Sequence, residues 1–231
     1  MRIPLTKYGL PQVVIYPAIT AGAMVVMAIF ARPLLGPGVF FAVELVLGAI
    51  LVWSLSFFRD PQRDSPSDPS LLLAPADGTI TDIATIEEDD FIGEKALRIG
   101  IFLSIFSTHI NRAPCNVRVE KISYKEGKCK NALNPESGRV NESNDLFLVR
   151  TDEPKDKLIV RQISGAIARR IVCDTGEGCE LSGGEKFGMI KFGSRTELYL
   201  PIRENSRYLV EIGDKVKAGL TALVRYEQCQ D

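Results

Sequence analysis

The sequence predicts a mostly β protein, a compact antiparallel β domain with barrel-sandwich elements, preceded by an N-terminal hydrophobic helical hairpin. Three observations predict it. Two long apolar stretches with few charges fill the first sixty residues. The remainder shows no sustained 3.6-residue periodicity, only short alternating apolar runs. Those runs are punctuated by Gly, Pro, Asn and Asp, the residues of tight turns.

The hairpin comes first. Tyr8 to Ala31 is 24 residues without a charge, enough at about 1.5 Å per residue to cross roughly 30 Å of hydrocarbon. After the link Arg32–Pro37, a second apolar stretch covers Gly38–Phe58, interrupted only by Glu44. A cleavable signal peptide has one apolar core and a small-residue cleavage site, so two runs favour a hairpin. Pro11, Pro17 and Glu44 leave open a shallow hairpin confined to one leaflet. Arg2 and Lys7 precede the first run and Arg59 and Arg63 follow the second, against Arg32 alone in the turn. The positive-inside rule then puts both ends, and the domain that follows, in the cytoplasm. Phe57-Phe58-Arg59-Asp60-Pro61 closes the hairpin, and Pro61, Pro66 and Pro69 keep 60–70 out of helix. The expected domains are a membrane anchor at 1–63 and a β domain at 64–231.

In that domain Leu97, Ile99, Ile101, Leu103 and Ile105 alternate along one strand. Lys157–Ile163 and Ala166–Cys173 read as strands around Gly165, and Leu198–Pro201 and Tyr208–Ile212 as later ones. Glu136–Asn144 reads as loop. Leu73–Ile80 and Gly213–Gly219 look internally related, and each resembles a turn-and-hairpin element of biotinyl/lipoyl-type barrel sandwiches.

Composition excludes several classes. The chain has 28 Lys+Arg against 29 Asp+Glu, and residues 64–231 carry 23 basic and 27 acidic groups, so no cationic nucleic-acid surface is expected. Five cysteines without close pairing make no disulfide framework and are expected reduced. With one histidine, and Cys173 and Cys179 six apart, no metal site is expected.

The chemistry gathers elsewhere. Gly176 to Ser194 holds six glycines in nineteen positions, a density suited to sharp bends or close approach to a ligand, or to a set of tight hairpins. Its end, Phe192-Gly193-Ser194-Arg195-Thr196, joins four other segments: FFRDP (Phe57–Pro61), APADG (Ala74–Gly78), FSTHINRAP (Phe106–Pro114) and NESN (Asn141–Asn144). Together they resemble the short, membrane-anchored branch of the phosphatidylserine decarboxylase family over Leu10 to Tyr226.

The resemblance implies a carboxy-lyase that converts phosphatidylserine to phosphatidylethanolamine. It implies scission between Gly193 and Ser194, giving a heterodimer of a β subunit (1–193) and an α subunit (194–231). Ser194 would become a pyruvoyl group that forms a Schiff base with substrate, with no metal and no diffusible cofactor. Serine suits scission because its Oγ can attack the Gly193 carbonyl and later leave, and glycine leaves that carbonyl unshielded. The resemblance gives His109 the roles of base in scission and proton donor to substrate, and Asp77 that of orienting His109. Longer family members have a second histidine where this chain has Arg112, so His109 serves alone or Arg112 replaces it. Arg112, Lys191 and Arg195 can meet a substrate carboxylate or phosphate, or can be solvated strand ends. The same chemistry on an ether-linked archaeal serine phospholipid is the nearest rival. A membrane-fusion adaptor with lipoyl-like hairpins would need a long heptad-patterned arm, and the sequence has none.

Overall fold

A computed structural model describes residues 4–128, 130, 133–134, 137–165, 170–191 and 193–227. The chain divides into two compact units, Met1–Gln62 and Arg63–Asp231.

In the first unit, helix α1 (Gln12–Val26) runs into a π-helical turn, Met27–Ala31, and α2 spans Pro37–Phe57. Pro37 starts α2 where a missing N–H costs nothing, and Arg59-Asp60-Pro61 follows its end. Gln12–Ala31, α1 with its π-helical turn, and α2 are each long and apolar enough to cross a membrane. Ile19, Phe30, Phe41 and Leu45 are exposed on them, apolar surface that suits a lipid-like solvent and suggests membrane association. At the open end of the hairpin, Leu5 bridges Arg59, and the Asp60 N–H donates to the Pro4 carbonyl at 2.7 Å.

In the second unit the elements are β1 (Leu71–Leu73), β2 (Gly78–Glu88), β3 (Glu94–Leu103), β4 (Ile110–Arg112) and β5 (Val117–Lys125). The short helix α3 (Ser137–Val140) precedes β6 (Ser143–Arg150), β7 (Lys157–Ile163), β8 (Ile171–Cys173) and β9 (Glu180–Leu181). Then come β10 (Lys186–Ile190), β11 (Ser194–Pro201), β12 (Ser206–Tyr208), β13 (Lys215–Val216) and β14 (Ala222–Tyr226). Among the described residues these form an antiparallel eight-stranded sheet ordered β13-β2-β3-β11-β7-β6-β5-β9. Two three-stranded sheets, β1-β14-β12 and β4-β10-β8, complete the unit.

The mostly β expectation therefore holds, and its central strand is β11, paired with β3 on one side and β7 on the other. All eight residues of β11 are buried, so both its faces are covered. Leu198 and Leu200 join Ile99, Ile101, Leu103, Leu146 and Val160 in the main core. Tyr199, on the other face, packs in a smaller cluster with Ile92, Ala96 and Ile159. The elements 73–80 and 213–219 lie against each other: the Gly213 N–H donates to the Ile80 carbonyl at 2.8 Å, and Gly219 N–H to Ala74 at 2.9 Å.

Several local expectations need correction. The alternating strand ends at Leu103, not Ile105, because Ser104–Ser107 closes a turn with Ser107 N–H on the Ser104 carbonyl, and Ile105 is exposed. Glu136–Asn144 is not all loop: Ser137–Val140 is helical and Ser143 already pairs with Ile163. The strand expected at Ala166–Cys173 spans Ile171–Cys173, and 166–169 lie outside the described residues. Leu198–Pro201 is only the second half of a strand that begins at Ser194. Tyr208–Ile212 contributes only Tyr208, because the Glu211–Asp214 turn, closed on the Asp214 carboxylate at 2.9 Å, takes over the rest. In the glycine-rich stretch, Gly188 lies inside β10, where a Cβ would stand 2.2 Å from the Val172 carbonyl oxygen. Close approach of β8 is what demands glycine there.

Candidate active site

Ser194 opens β11 directly opposite Leu103, the last residue of β3. Its side chain is fully buried, and its Oγ has no hydrogen-bond partner among the described residues. A buried hydroxyl normally finds a partner, since leaving it unpaired costs about 1–3 kcal/mol. Gly193 before it has φ +62°, the left-handed region that glycine enters without a Cβ penalty.

From Leu103 the chain turns through Ser104–Ser107 to His109, also fully buried. The His109 carbonyl accepts the Ile190 N–H at 3.1 Å, four residues before Ser194. Strand register on one side and this bond on the other bring the histidine and serine segments to one end of the two sheets. The His109 Nδ1 lies 3.0 Å from the Ser107 carbonyl oxygen. A carbonyl only accepts, so Nδ1 carries the proton and, in the neutral ring, Nε2 is the basic nitrogen.

The other expected residues divide. Asp77 receives Arg63 through both carboxylate oxygens, at 2.6 and 2.7 Å, and the Ala218 N–H at 2.7 Å. Arg63 also donates to the Ala218 carbonyl at 2.6 Å, so the APADG turn, Arg63 and the 213–219 turn form one knot. Arg112 is buried and donates to the Gly184 carbonyl at 2.8 Å. Lys191 is buried two residues before Gly193. Burial, and then the charge of Arg170, push its pKa below the ordinary lysine value.

Arg195 lies elsewhere. Successive residues of a strand point to opposite faces, so Arg195 leaves β11 away from Ser194. There it is fully buried, donating from Nε to Glu197 at 2.7 Å, from Nη1 to Thr81 Oγ1 at 2.7 Å, and from Nη2 to Asp82. Tyr199 donates its hydroxyl to the same Glu197, and burial, reinforced by the Glu197 charge, pushes its pKa far up.

Sequence reasoning missed a buried amide chain on the Ser194 face. Asn111 Nδ2 donates to Thr196 Oγ1 at 3.0 Å and to the Pro75 carbonyl at 3.3 Å. Asn111 Oδ1 accepts Gln162 Nε2 at 2.9 Å, and Gln162 Oε1 accepts Asn144 Nδ2 at 3.1 Å. All four side chains are buried. A signal existed: Gln162 takes the next place after Leu158 and Val160 on the apolar face of that strand. Among the described residues no group of three or more His, Cys, Asp or Glu gathers to hold a metal ion.

Known proteins match this chain closely. The family model described as phosphatidylserine decarboxylase matches residues 51–224. A protein of Rhodopirellula baltica is 39% identical over 226 residues, covering 98% of this chain and 90% of its own. One from Desulfotalea psychrophila is 43% identical over 171 residues, 74% of this chain and 78% of the relative. One from Carboxydothermus hydrogenoformans is 38% identical over 204 residues, 88% and 94%. Each of the three is named phosphatidylserine decarboxylase proenzyme.

Proposed function

The chain belongs to the phosphatidylserine decarboxylase family, and from that premise we propose that it cuts itself between Gly193 and Ser194. The Ser194-derived pyruvoyl group then decarboxylates phosphatidylserine to phosphatidylethanolamine. The observation that carries this reading is the buried Ser194 Oγ, without a partner among the described residues, directly after a glycine at positive φ. The relatives' name of proenzyme supports a maturation cut.

In scission Ser194 Oγ attacks the Gly193 carbonyl carbon while His109 Nε2 takes the hydroxyl proton and returns it to the departing Ser194 nitrogen. The amide becomes an ester. Loss of the Ser194 Cα proton then breaks the Cβ–Oγ bond, freeing residues 1–193 with a carboxylate end. The dehydroalanine left at 194 takes up water and releases ammonia, leaving a ketone. A buried histidine and a hydroxyl without a partner among the described residues fit that origin of the group. When formed, the pyruvoyl carbonyl supplies an electron sink for the carbanion left by CO₂. His109 then delivers a proton to substrate Cα. Lys191, a buried cation two residues before Gly193, and Arg112, buried three residues beyond His109, bind the substrate's carboxylate or phosphate. Asp77 acts at a distance, fixing through Arg63 the turn that leads into β2.

The 38-residue α subunit stays bound after the cut, because β11 lies between β3 and β7 and keeps both ladders. The two apolar helices anchor the enzyme at the membrane, with residues 64–231 on the cytoplasmic side that the flanking charges favour. Intact mass of the purified protein tests this reading. A 38-residue fragment with a ketone at its amino end is expected, and Ser194→Ala should remain at 25.5 kDa without activity on phosphatidylserine vesicles. A wild-type chain recovered wholly uncut while still releasing CO₂ would refute it.

A further inference from the structure

Asn111 is two residues beyond His109, at the middle of β4, and β4 belongs to a different sheet from β11. Its side chain joins the two sheets. One amide hydrogen reaches Thr196, two residues beyond Ser194 on the same face of β11, and the other reaches the Pro75 carbonyl of the APADG turn. Its oxygen is held by Gln162 of β7, which also donates to the Val172 carbonyl at 3.4 Å and accepts from Asn144 at 3.1 Å. Asn111, Gln162 and Thr196 are all 0% exposed, so water cannot substitute for any of these bonds. Both donors of the Asn111 amide and one lone pair of its oxygen are used, and a flipped amide would set donor against donor at Gln162, which gives its plane one orientation.

We propose that Asn111 is a positioning residue for self-scission, acting through Thr196 to set the distance between the Ser194 strand and the segment carrying His109. It touches neither reacting group; it holds the two elements that carry them. The proposal rests on the self-processing reading. Proton transfer from Oγ to Nε2 requires hydrogen-bond reach, and a misplacement of about 1 Å costs roughly 10²-fold in rate.

The test follows the first-order appearance of the 38-residue fragment from freshly translated full-length protein in detergent micelles. Thr196→Val keeps the shape and removes the acceptor, so scission should slow by about 10- to 100-fold. Thr196→Ser keeps the oxygen and should restore most of the rate. Asn111→Leu removes the Thr196 bond together with those to Pro75 and Gln162, so it should slow scission at least as much as Thr196→Val. The double variant should be no slower than Asn111→Leu alone, since the Thr196 bond is already lost there. If Asn111→Leu does not fold, the two Thr196 variants decide alone. Wild-type speed in Thr196→Val, or a Thr196→Ser as slow as Thr196→Val, would overturn this inference while leaving self-processing in place. A wild type that yields no fragment overturns both.

Discussion

Replacing Arg195 by methionine should be among the most damaging single changes on the face of β11 away from Ser194. The guanidinium is completely buried and is held by Thr81, Asp82 and Glu197. It lies against Gly100, where even a Cβ would fall 1.9 Å from Nη2. Methionine fills much of the stem but strands the carboxylates. Glu197, at 1% side-chain exposure, would keep the Tyr199 hydroxyl and an Arg98 Nε 4.0 Å away. Asp82, at 15%, would keep Arg98 at 3.0 Å and some solvent. Breaking a buried pair by removing one partner costs about 3–5 kcal/mol. Because Asp82 retains a partner, the lower end applies, about 3 kcal/mol, dominated by Glu197. For a domain of this size that is a melting shift of roughly 6–12 °C. The assay is urea and thermal unfolding followed by circular dichroism, in a Ser194→Ala background so that one covalent chain is measured. Adding Glu197→Leu should recover much of the loss, since an apolar pair can replace a buried ion pair. A loss under about 1 kcal/mol, the scale of a surface pair, would refute the claim that these charges depend on one another.

Two further outcomes follow from the same geometry. Burial alone would raise the Asp82 pKa, but the hydrogen bond and charge of Arg195, aided by Arg98 and Thr81, bring it below the ordinary carboxylate value. Its stabilisation is therefore complete above the unfolded pKa of about 3.9 and is lost as pH falls through the lower folded value. Melting temperatures of wild type and Asp82→Asn should converge only below that pH, and convergence well above it would contradict the assignment. Cys115 is buried, and burial pushes its thiol up to about 12, so alkylation of native protein should modify exposed Cys179 and spare Cys115. Equal labelling of the two by peptide mass would show that the core around Cys115 opens freely.

What could be read in the linear chain was local or periodic. Apolar runs of sufficient length specify the two apolar helices, and alternation specifies β3, because hydrocarbon thickness and the two-residue strand repeat are the same for any chain that meets them. Gly193 and Ser194 were singled out through the family resemblance, which short contiguous motifs carry, and the proposed cut needs only that adjacent pair. Arg195 was not: a guanidinium suits a lipid phosphate or a buried carboxylate equally, and only its face of β11 decides for Asp82 and Glu197. The strand's start was hidden too, since Ser194-Arg195-Thr196-Glu197 has no apolar residue to alternate, and its burial is created by β3 and β7. Asp77 reads in the sequence as a turn residue or, through the resemblance, as a partner for histidine, and only the fold brings Arg63 to it. The amide chain from Asn144 through Gln162 to Asn111 joins positions 18 and 51 residues apart, ending on Thr196, 85 residues from Asn111. Separations of that length carry no periodic trace, because only the closing of two sheets on one another brings such groups within bonding distance and shuts out the water that would otherwise satisfy them.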